Sequence, residues 1–307
     1  MTSQLPANEN KTRDILVELS AARRADAAAR EAQLPYRQLL RQIAETPEPK
    51  DFAAAFRARK GAPRIIAELK KASPSEGLIR ADFRPEELAV ELEAAGAAAL
   101  SVLCEPHRFL GDERYLRAAR QRVKLPILYK DFVTTNYQVA EARLAGADAV
   151  LLIAAVLNDA ELLALKTQAH ELGLKALVET HDAEEIRRAV DLGCEVIGVN
   201  CRNLRTFATD VALIEELIGR IPSTCVRIAE SGMHTAAAIR AAQAAGADGF
   251  LVGTALMRAE NPGEKLKELM GVQSGFSKGK WRFPKDWEAQ DKALDKEIEA
   301  DFYAHTL

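Results

Sequence analysis

The chain has 307 residues, 48% of them hydrophobic and 28% charged, with a formal net charge of -3. That is the balance of an ordinary globular protein with apolar side chains enough for a large core. It excludes a broad electrostatic footprint for nucleic acid or an anionic membrane, so any basic site has to be local.

No apolar run reaches the roughly 18 residues needed to span a bilayer. Met1-Thr2-Ser3-Gln4-Leu5 lacks a basic-then-apolar signal pattern. Cys104, Cys194, Cys201 and Cys225 lie in separate segments with no Cys-x-x-Cys pair. Neither zinc nor a disulfide framework is expected, and a cytoplasmic location fits best.

Residues 1–13 are polar. From Asp14 to about Ala44 the chain is rich in Ala, Arg, Glu and Leu and free of glycine, which predicts helix interrupted near Pro35. Glu45-Thr46-Pro47-Glu48-Pro49-Lys50 reads as a linker. A further helix from Phe52 to about Arg59 leads to Gly61-Ala62-Pro63 and a first strand, Ile65 to Leu69. That strand runs into Lys70-Lys71-Ala72-Ser73-Pro74-Ser75-Glu76-Gly77, a polar turn. Alternate side chains on a strand share a face, so Ile66, Glu68 and Lys70 point the same way. An unpaired charge facing a dry interior is costly, so an acid and a base there suggest a wet mouth above an apolar core. An ion pair that merely caps the strand explains the two residues equally well.

A rhythm then sets in. Gly96, Gly146, Gly173, Gly193 and Gly246 each follow an amphipathic helix and precede an apolar run, the place where a helix ends in a left-handed residue. The runs are Ala99 to Leu103, Val150 to Ile153, Ala176 to Val178, Val196 to Val199 and Phe250 to Val252. With Ile65 to Leu69, Pro126 to Leu128 and Val226 to Ala229 they make eight strands, apolar throughout as in sheets buried on both faces. Eight β/α units in one chain of this size predict an α/β fold, a closed (β/α)8 TIM barrel, ending near Gly271. No Gly-x-Gly-x-x-Gly turn follows the first strand, which weighs against a dinucleotide fold. Beyond Gly271, Trp281, Trp287, Phe276 and Phe283 precede a predicted helix with Trp287, Leu294, Ile298 and Phe302 near one face. It either packs on the barrel exterior or makes a subunit contact.

Barrel enzymes place chemistry at the C-terminal strand ends. Those positions hold Glu68 and Lys70, Cys104 and Glu105, Lys130 and Asp131, then the apolar Ala154. Glu179, Asn200, Glu230 with Ser231, and Gly253 with Thr254 complete the ring. Charged or amide groups at six of eight ends are hard to read as strand caps. Opposite charges crowded into a partly dry pocket shift each other's proton affinities, which suits acid–base work. Ser231-Gly232 and Gly253-Thr254 let backbone amides approach an anion after strands seven and eight, with Ser73 on the neighbouring first loop; a phosphate is the preferred ligand. Two tight turns that merely need glycine are the competing explanation. His107, His170, His181, His234 and His305 form no ligand spacing, so no metal is expected. Cys104 and Cys201 read as inert small residues.

Taken together, Glu68-Leu69-Lys70-Lys71-Ala72-Ser73-Pro74-Ser75, Ser101-Val102-Leu103 with Glu105, and Lys130-Asp131-Phe132 carry a family pattern. It continues through Gly146-Ala147-Asp148 with Leu151-Leu152-Ile153, Leu177-Val178-Glu179, Gly198-Val199-Asn200 with Arg202, and Glu230-Ser231-Gly232. The chain from about residue 12 to 270 thereby resembles the indole-3-glycerol phosphate synthase family. The resemblance implies a cofactor-free lyase of tryptophan biosynthesis. Its substrate would be a 1-(2-carboxyphenylamino)-1-deoxyribulose 5-phosphate, whose ring closes with loss of carbon dioxide and water. It makes Lys130 the general acid, Glu179 the partner in dehydration, and Lys70 a contact of the substrate carboxylate or a second acid. Glu68 would hold the lysines, Glu230 and Asn200 would orient substrate, and Arg202 would bind it. Phosphate would lie on Ser73, Ser231, Gly232, Gly253 and Thr254. It further implies residues 1–60 as an extension over the barrel mouth and 61–271 as the catalytic barrel; the tail, 272–307, lies outside the resemblance, and a monomer or homodimer is expected. Cys104, Arg108, Tyr129, Cys201, Asn203 and Ala229 depart from the family's usual residues without removing a proposed acid, base or phosphate contact.

Two other functions compete. A phosphoribosylanthranilate isomerase-like barrel would look for a cysteine base and an aspartate acid, where this chain has Glu, Lys and Asn. A non-catalytic phosphate-ligand binder would have no use for opposed acids and bases.

Overall fold

Eight parallel strands close on themselves in the computed structural model, which describes residues 15–57, 61–202 and 209–272. In chain order they are β1 (Ile65–Leu69), β2 (Ala99–Leu103), β3 (Ile127–Lys130), β4 (Ala149–Ile153), β5 (Lys175–Thr180), β6 (Val196–Asn200), β7 (Val226–Glu230) and β8 (Gly249–Val252). Each pairs with its chain neighbours and β8 returns to β1, pairing Ile65 with Phe250. The register fixes what faces inward. Glu68 lies opposite Ser101, Leu103 opposite Lys130, Ile153 opposite Glu179 and Asn200 opposite Glu230, all near the C-terminal rim.

Lower in the barrel the inward set is apolar. Ile66, Leu128, Leu151, Leu177, Ile228 and Leu251 form one buried cluster with Phe52 and Phe56. These two rings close the N-terminal end: a Cβ on Gly249, at the start of β8, would meet Phe56 at 2.6 Å. Outward residues such as Leu100, Val102, Ile197 and Phe250 form a second, larger core with the surrounding helices. Dry layers on both faces explain the near-continuous apolar runs. Each predicted helix-ending glycine has positive φ: Gly96 (101°), Gly146 (93°), Gly173 (78°), Gly193 (68°), Gly246 (112°) and Gly271 (72°).

Two helices precede the barrel, α1 (Ile15–Gln33) and α2 (Tyr36–Ile43), broken at Pro35 as expected. Ala27, Leu39 and Ile43 pack against Tyr137 and Ala140 of the third barrel helix. The helix expected over Phe52 to Arg59 is instead a single 3₁₀ turn, Ala53–Phe56, with residues 58–60 outside the described set. One turn suffices to place both phenylalanines in the barrel floor, and neither a helical face nor a long run of backbone bonds is left to form. The turn after β1 carries an unexpected two-stranded hairpin, Ala72–Ser73 against Gly77–Leu78. The aromatic tail beyond Gly271 and Asn203 lie outside the described residues. None of the described helices is long and apolar enough to cross a membrane.

Candidate active site

All twelve residues to which the family resemblance gives a catalytic or binding role, from Glu68 through Thr254, line one cavity at the C-terminal rim. Its centre is Lys130, at the end of β3. The Lys130 ammonium lies 3.2 Å from Glu230, 3.6 Å from Glu179 and 3.9 Å from Glu68. Lys70 sits 2.8 Å from the other oxygen of Glu68. Two cations and three carboxylates therefore interlock, with Lys130 only 16% exposed.

Burial alone would strip the charge from each group. Burial opposes the Lys130 ammonium, but Glu230, Glu179 and Glu68 outweigh it and hold the pKa above the ordinary lysine range. Burial would likewise raise Glu68, yet Lys70 and Lys130 pull it down. Glu179 and Glu230 face the same lysine but part company. Burial and the neighbouring Glu179 charge push Glu230 up, to about 7, against the pull of Lys130. Glu179 is lowered in spite of burial, because Lys130, His181 and Asn200 all favour its anion. Two carboxylates driven apart in proton affinity around one buried lysine are the equipment for acid–base chemistry at neutral pH.

The anion side is built from the last two strands. Ser231 donates to Asn200 at 2.7 Å, and the Arg202 amide donates to the same oxygen at 3.0 Å. Ser231 takes a left-handed φ of 65°, followed by Gly232 at 69°. Strained backbone of this kind clusters at ligand sites. Gly253 caps a short helix, Thr254–Arg258. The β1 loop is clasped to this side: Arg202 donates to Ser75 at 3.0 Å, Arg258 pairs with Glu76, and Arg80 donates to the carbonyls of Met257 and Ala259. Ser73 is buried, accepting from the Glu76 amide.

The opposite wall is apolar and was only partly foreseen. Leu16 of α1, Leu103, Phe109, Phe132, Leu151 and Ile153 line it, with the rings of Phe109 and Phe132 6.4 Å apart. These residues carry no chemical signature, and Leu16 reaches the site only because α1 lies across the rim. Of the six charged or amide strand ends, five meet in the cavity. The exception is Glu105, which turns into its own loop and accepts the amides of His107, Arg108 and Phe109. Cys104 is buried in the outer core, and burial drives its thiol, and that of Cys201, far up, the latter to about 12. Asp131 also borders the cavity, but its carboxylate is taken up by Arg23 of α1. His181, whose place two residues after Glu179 is compatible from sequence with either a pocket contact or a surface role, sits 3.3 Å from Glu179. Among the described residues no group of three or more His, Cys, Asp or Glu is placed to hold a metal ion.

Two glycines make room for the carboxylates. A Cβ on Gly198 would fall 2.1 Å from the Glu230 carboxylate, and one on Gly253 2.2 Å from Glu68 and 3.1 Å from Lys70. Gly253 has φ of -119°, so a side chain there costs no backbone strain. Gly253→Ala is expected to fold normally but to displace Glu68 and Lys70, lowering kcat by about 10²-fold, the usual cost of roughly an ångström of misplacement. Gly219→Ala, where nothing lies within 4 Å, is the matched control. Equal kcat in the two variants would show that the packing of Glu68 against Gly253 is irrelevant to turnover.

Comparison with known proteins agrees with this arrangement. The family model "Indole-3-glycerol phosphate synthase" matches residues 16–269. Indole-3-glycerol phosphate synthases from two strains of Acidithiobacillus ferrooxidans are each 46% identical over 258 residues, covering 83% of this chain and 98% of theirs. Among solved structures, a thiamine phosphate pyrophosphorylase from Pyrococcus furiosus superposes with a TM-score of 0.52 at 17% identity, over 70% of this chain and 96% of its own. A 3-hexulose-6-phosphate synthase gives 0.52 at 17%, over 69% and 100%. At that identity the two structures speak for the barrel alone. The strand-end acids and bases, the family match across the whole barrel and the close relatives agree: the chain belongs to the indole-3-glycerol phosphate synthase family.

Proposed function

We infer that the protein forms indole-3-glycerol phosphate, the product for which its relatives are named, from 1-(2-carboxyphenylamino)-1-deoxyribulose 5-phosphate. The observation that carries the reading is Lys130, held within 4 Å of three carboxylates at the meeting point of an apolar wall and a glycine- and serine-rich rim. The benzene ring of the substrate belongs against Phe109, Phe132 and Leu151. Its phosphate belongs on Ser73, Ser231, Gly232, Gly253 and Thr254, with Arg202 nearby. The intervening chain is then stretched across Lys130.

Ring closure joins the aromatic carbon bearing the carboxylate to the ketone carbon. Lys130 gives its proton to the ketone oxygen as the bond forms, and Lys70 meets the carboxylate or shares the acid role. Loss of carbon dioxide restores the aromatic ring. The new hydroxyl then leaves as water, with Glu179 taking the proton that departs from the pyrrole ring. Glu68 holds both lysines, while Glu230 and Asn200 orient the sugar chain. Each positioned acid or base is worth about 10² to 10⁴ in rate, and aligning two ends of a flexible molecule contributes more. The four unpaired cysteines fit a reducing cytoplasm, where we place the protein, as a monomer or homodimer.

The test is direct. Purified protein given the deoxyribulose phosphate should generate the fluorescence of an indole, with one carbon dioxide released for each product formed. Consumption of substrate without indole, or isomerisation of phosphoribosylanthranilate instead, would replace this assignment.

A further inference from the structure

Written with its charges, the reaction inferred above consumes a proton: the substrate carboxylate leaves as neutral carbon dioxide, and product and water carry the rest. Lys130 gives one proton to the ketone oxygen, and the hydroxyl then leaves as water with the proton that Glu179 takes from the pyrrole ring. One proton per turnover must therefore come from water to a lysine walled in by protein and substrate.

We propose that His181 and Glu185 form a proton-supply route that recharges Lys130 through Glu179 from the outer side of the barrel, apart from the substrate entrance. The groups lie in sequence. Lys130 is 3.6 Å from Glu179 Oε2, and Glu179 Oε1 is 3.3 Å from His181 Nε2. That contact is an ion-pair distance rather than a well-directed hydrogen bond. His181 Nδ1 is 3.2 Å from Glu185 Oε2, and the His181 amide donates to that same oxygen at 2.7 Å. Glu185, in the first turn of the helix Ala183–Asp191, lines an open depression with Asn158, Asp159 and Arg188. That depression shares no lining residue with the substrate cavity. The route thus reaches solvent while substrate fills the mouth.

The charges along it favour inward delivery. Burial works against a charged imidazole, but Glu179 and Glu185 outweigh it and push His181 up to about 10, so the ring stands protonated. Glu179 faces His181 just beyond its own strand, Lys130 of β3, Asn200 of β6 and Glu230 of β7, and it is Lys130 that chiefly counters burial to keep it an anion. When Lys130 has given its proton away, that hold disappears and Glu179 becomes receptive. It takes the Nε2 proton of His181 and passes a proton to the Lys130 amine. The neutral ring turns and regains a proton from water beside Glu185. The balance is one proton from water to Lys130, with no bond to carbon made or broken. His181 is a positioning and relay residue, touching Glu179 and no substrate atom.

The experiment compares full-length wild type and His181→Asn in single- and multiple-turnover assays of indole formation. A resting enzyme is already charged at Lys130, so the single-turnover rate of the variant should stay within about twofold of wild type. Its steady-state kcat should fall about tenfold, less than the 10² to 10⁴ of a group acting on substrate itself. Added imidazole buffer at fixed pH should restore part of the loss, and Glu185→Gln should give a smaller drop of the same kind. Equal losses in both assays, or no loss in steady state, would overturn the route and leave His181 a packing residue. Failure of wild type to make indole would instead overturn the reaction assigned above, so the two failures are separable.

Discussion

Lys130→Ala is expected to lower kcat by about 10³-fold, within the range for a positioned general acid, while leaving the fold intact. The expectation follows from its surroundings. Among the described residues Lys130 is the cation that touches Glu68, Glu179 and Glu230 together, and no other side chain reaches the cavity centre from β3. Its loss removes the proton donor and also the one cation that Glu179 and Glu230 share, leaving His181 beside Glu179 and no cation beside Glu230 among the described residues. Like charges in a buried site cannot both ionise, so one of them holds a proton. This gives a second readout. In wild type Glu179 lies below its ordinary carboxylate value, so its contribution to stability is present at neutral pH and is lost as pH falls through the folded pKa. In the variant the pair is raised instead, and stability is lost as pH rises. The melting temperature of Lys130→Ala relative to wild type should therefore improve on moving from about pH 8 to about pH 5. Indole formed at the wild-type rate would remove Lys130 from the chemistry. A melting difference independent of pH would remove the electrostatic picture.

The barrel was readable because its determinants are local. Eight apolar runs, five of them preceded by a glycine that closes a helix, need no knowledge of partners far along the chain. The strand-end charges were readable for a related reason: period two on a strand sets which of Glu68, Leu69 and Lys70 faces inward, and closure brings all the ends together. What stayed hidden depends on contacts between distant segments. Gly198 and Gly253 look like any small strand or turn residue, and only coordinates show that a methyl group there would occupy the carboxylates of Glu230 and Glu68. Glu105 has the right position and the wrong direction, because three amides of its own loop claim it. His181 stands two residues beyond Glu179 and four before Glu185, a spacing visible in the sequence. Its meaning depends on the helix start that turns Glu185 back over the ring. The apolar wall is the hardest case, since Leu16 and Phe109 differ in nothing but location from dozens of core residues.

Arg23→Ala should destabilise the protein by about 3–5 kcal/mol, the cost of orphaning one member of a buried ion pair. Arg23 is 4% exposed, and its Nε and Nη2 grip both oxygens of Asp131 at 2.6–3.1 Å across 108 positions of sequence. Its remaining nitrogen donates to Asp26 at 2.7 Å, and Asp26 in turn holds His107 at 2.8 Å. Asp131 also accepts the Tyr129 hydroxyl at 3.1 Å and the Phe132 amide at 2.8 Å. A buried pair replaced whole by neutral side chains can be nearly harmless, whereas a lone charge left behind is not. Arg23→Met combined with Asp131→Asn should thus recover much of what Arg23→Ala loses in urea unfolding, a coupling that additive losses would refute. The functional consequence follows from chain position. Asp131 is the residue after Lys130, so α1 fixes by this one guanidinium the strand end that carries the proton donor. Restored stability with kcat still depressed in the double variant would mean that α1 sets the aim of Lys130 as well as the strength of the fold. Full recovery of both would confine Arg23 to holding α1 in place.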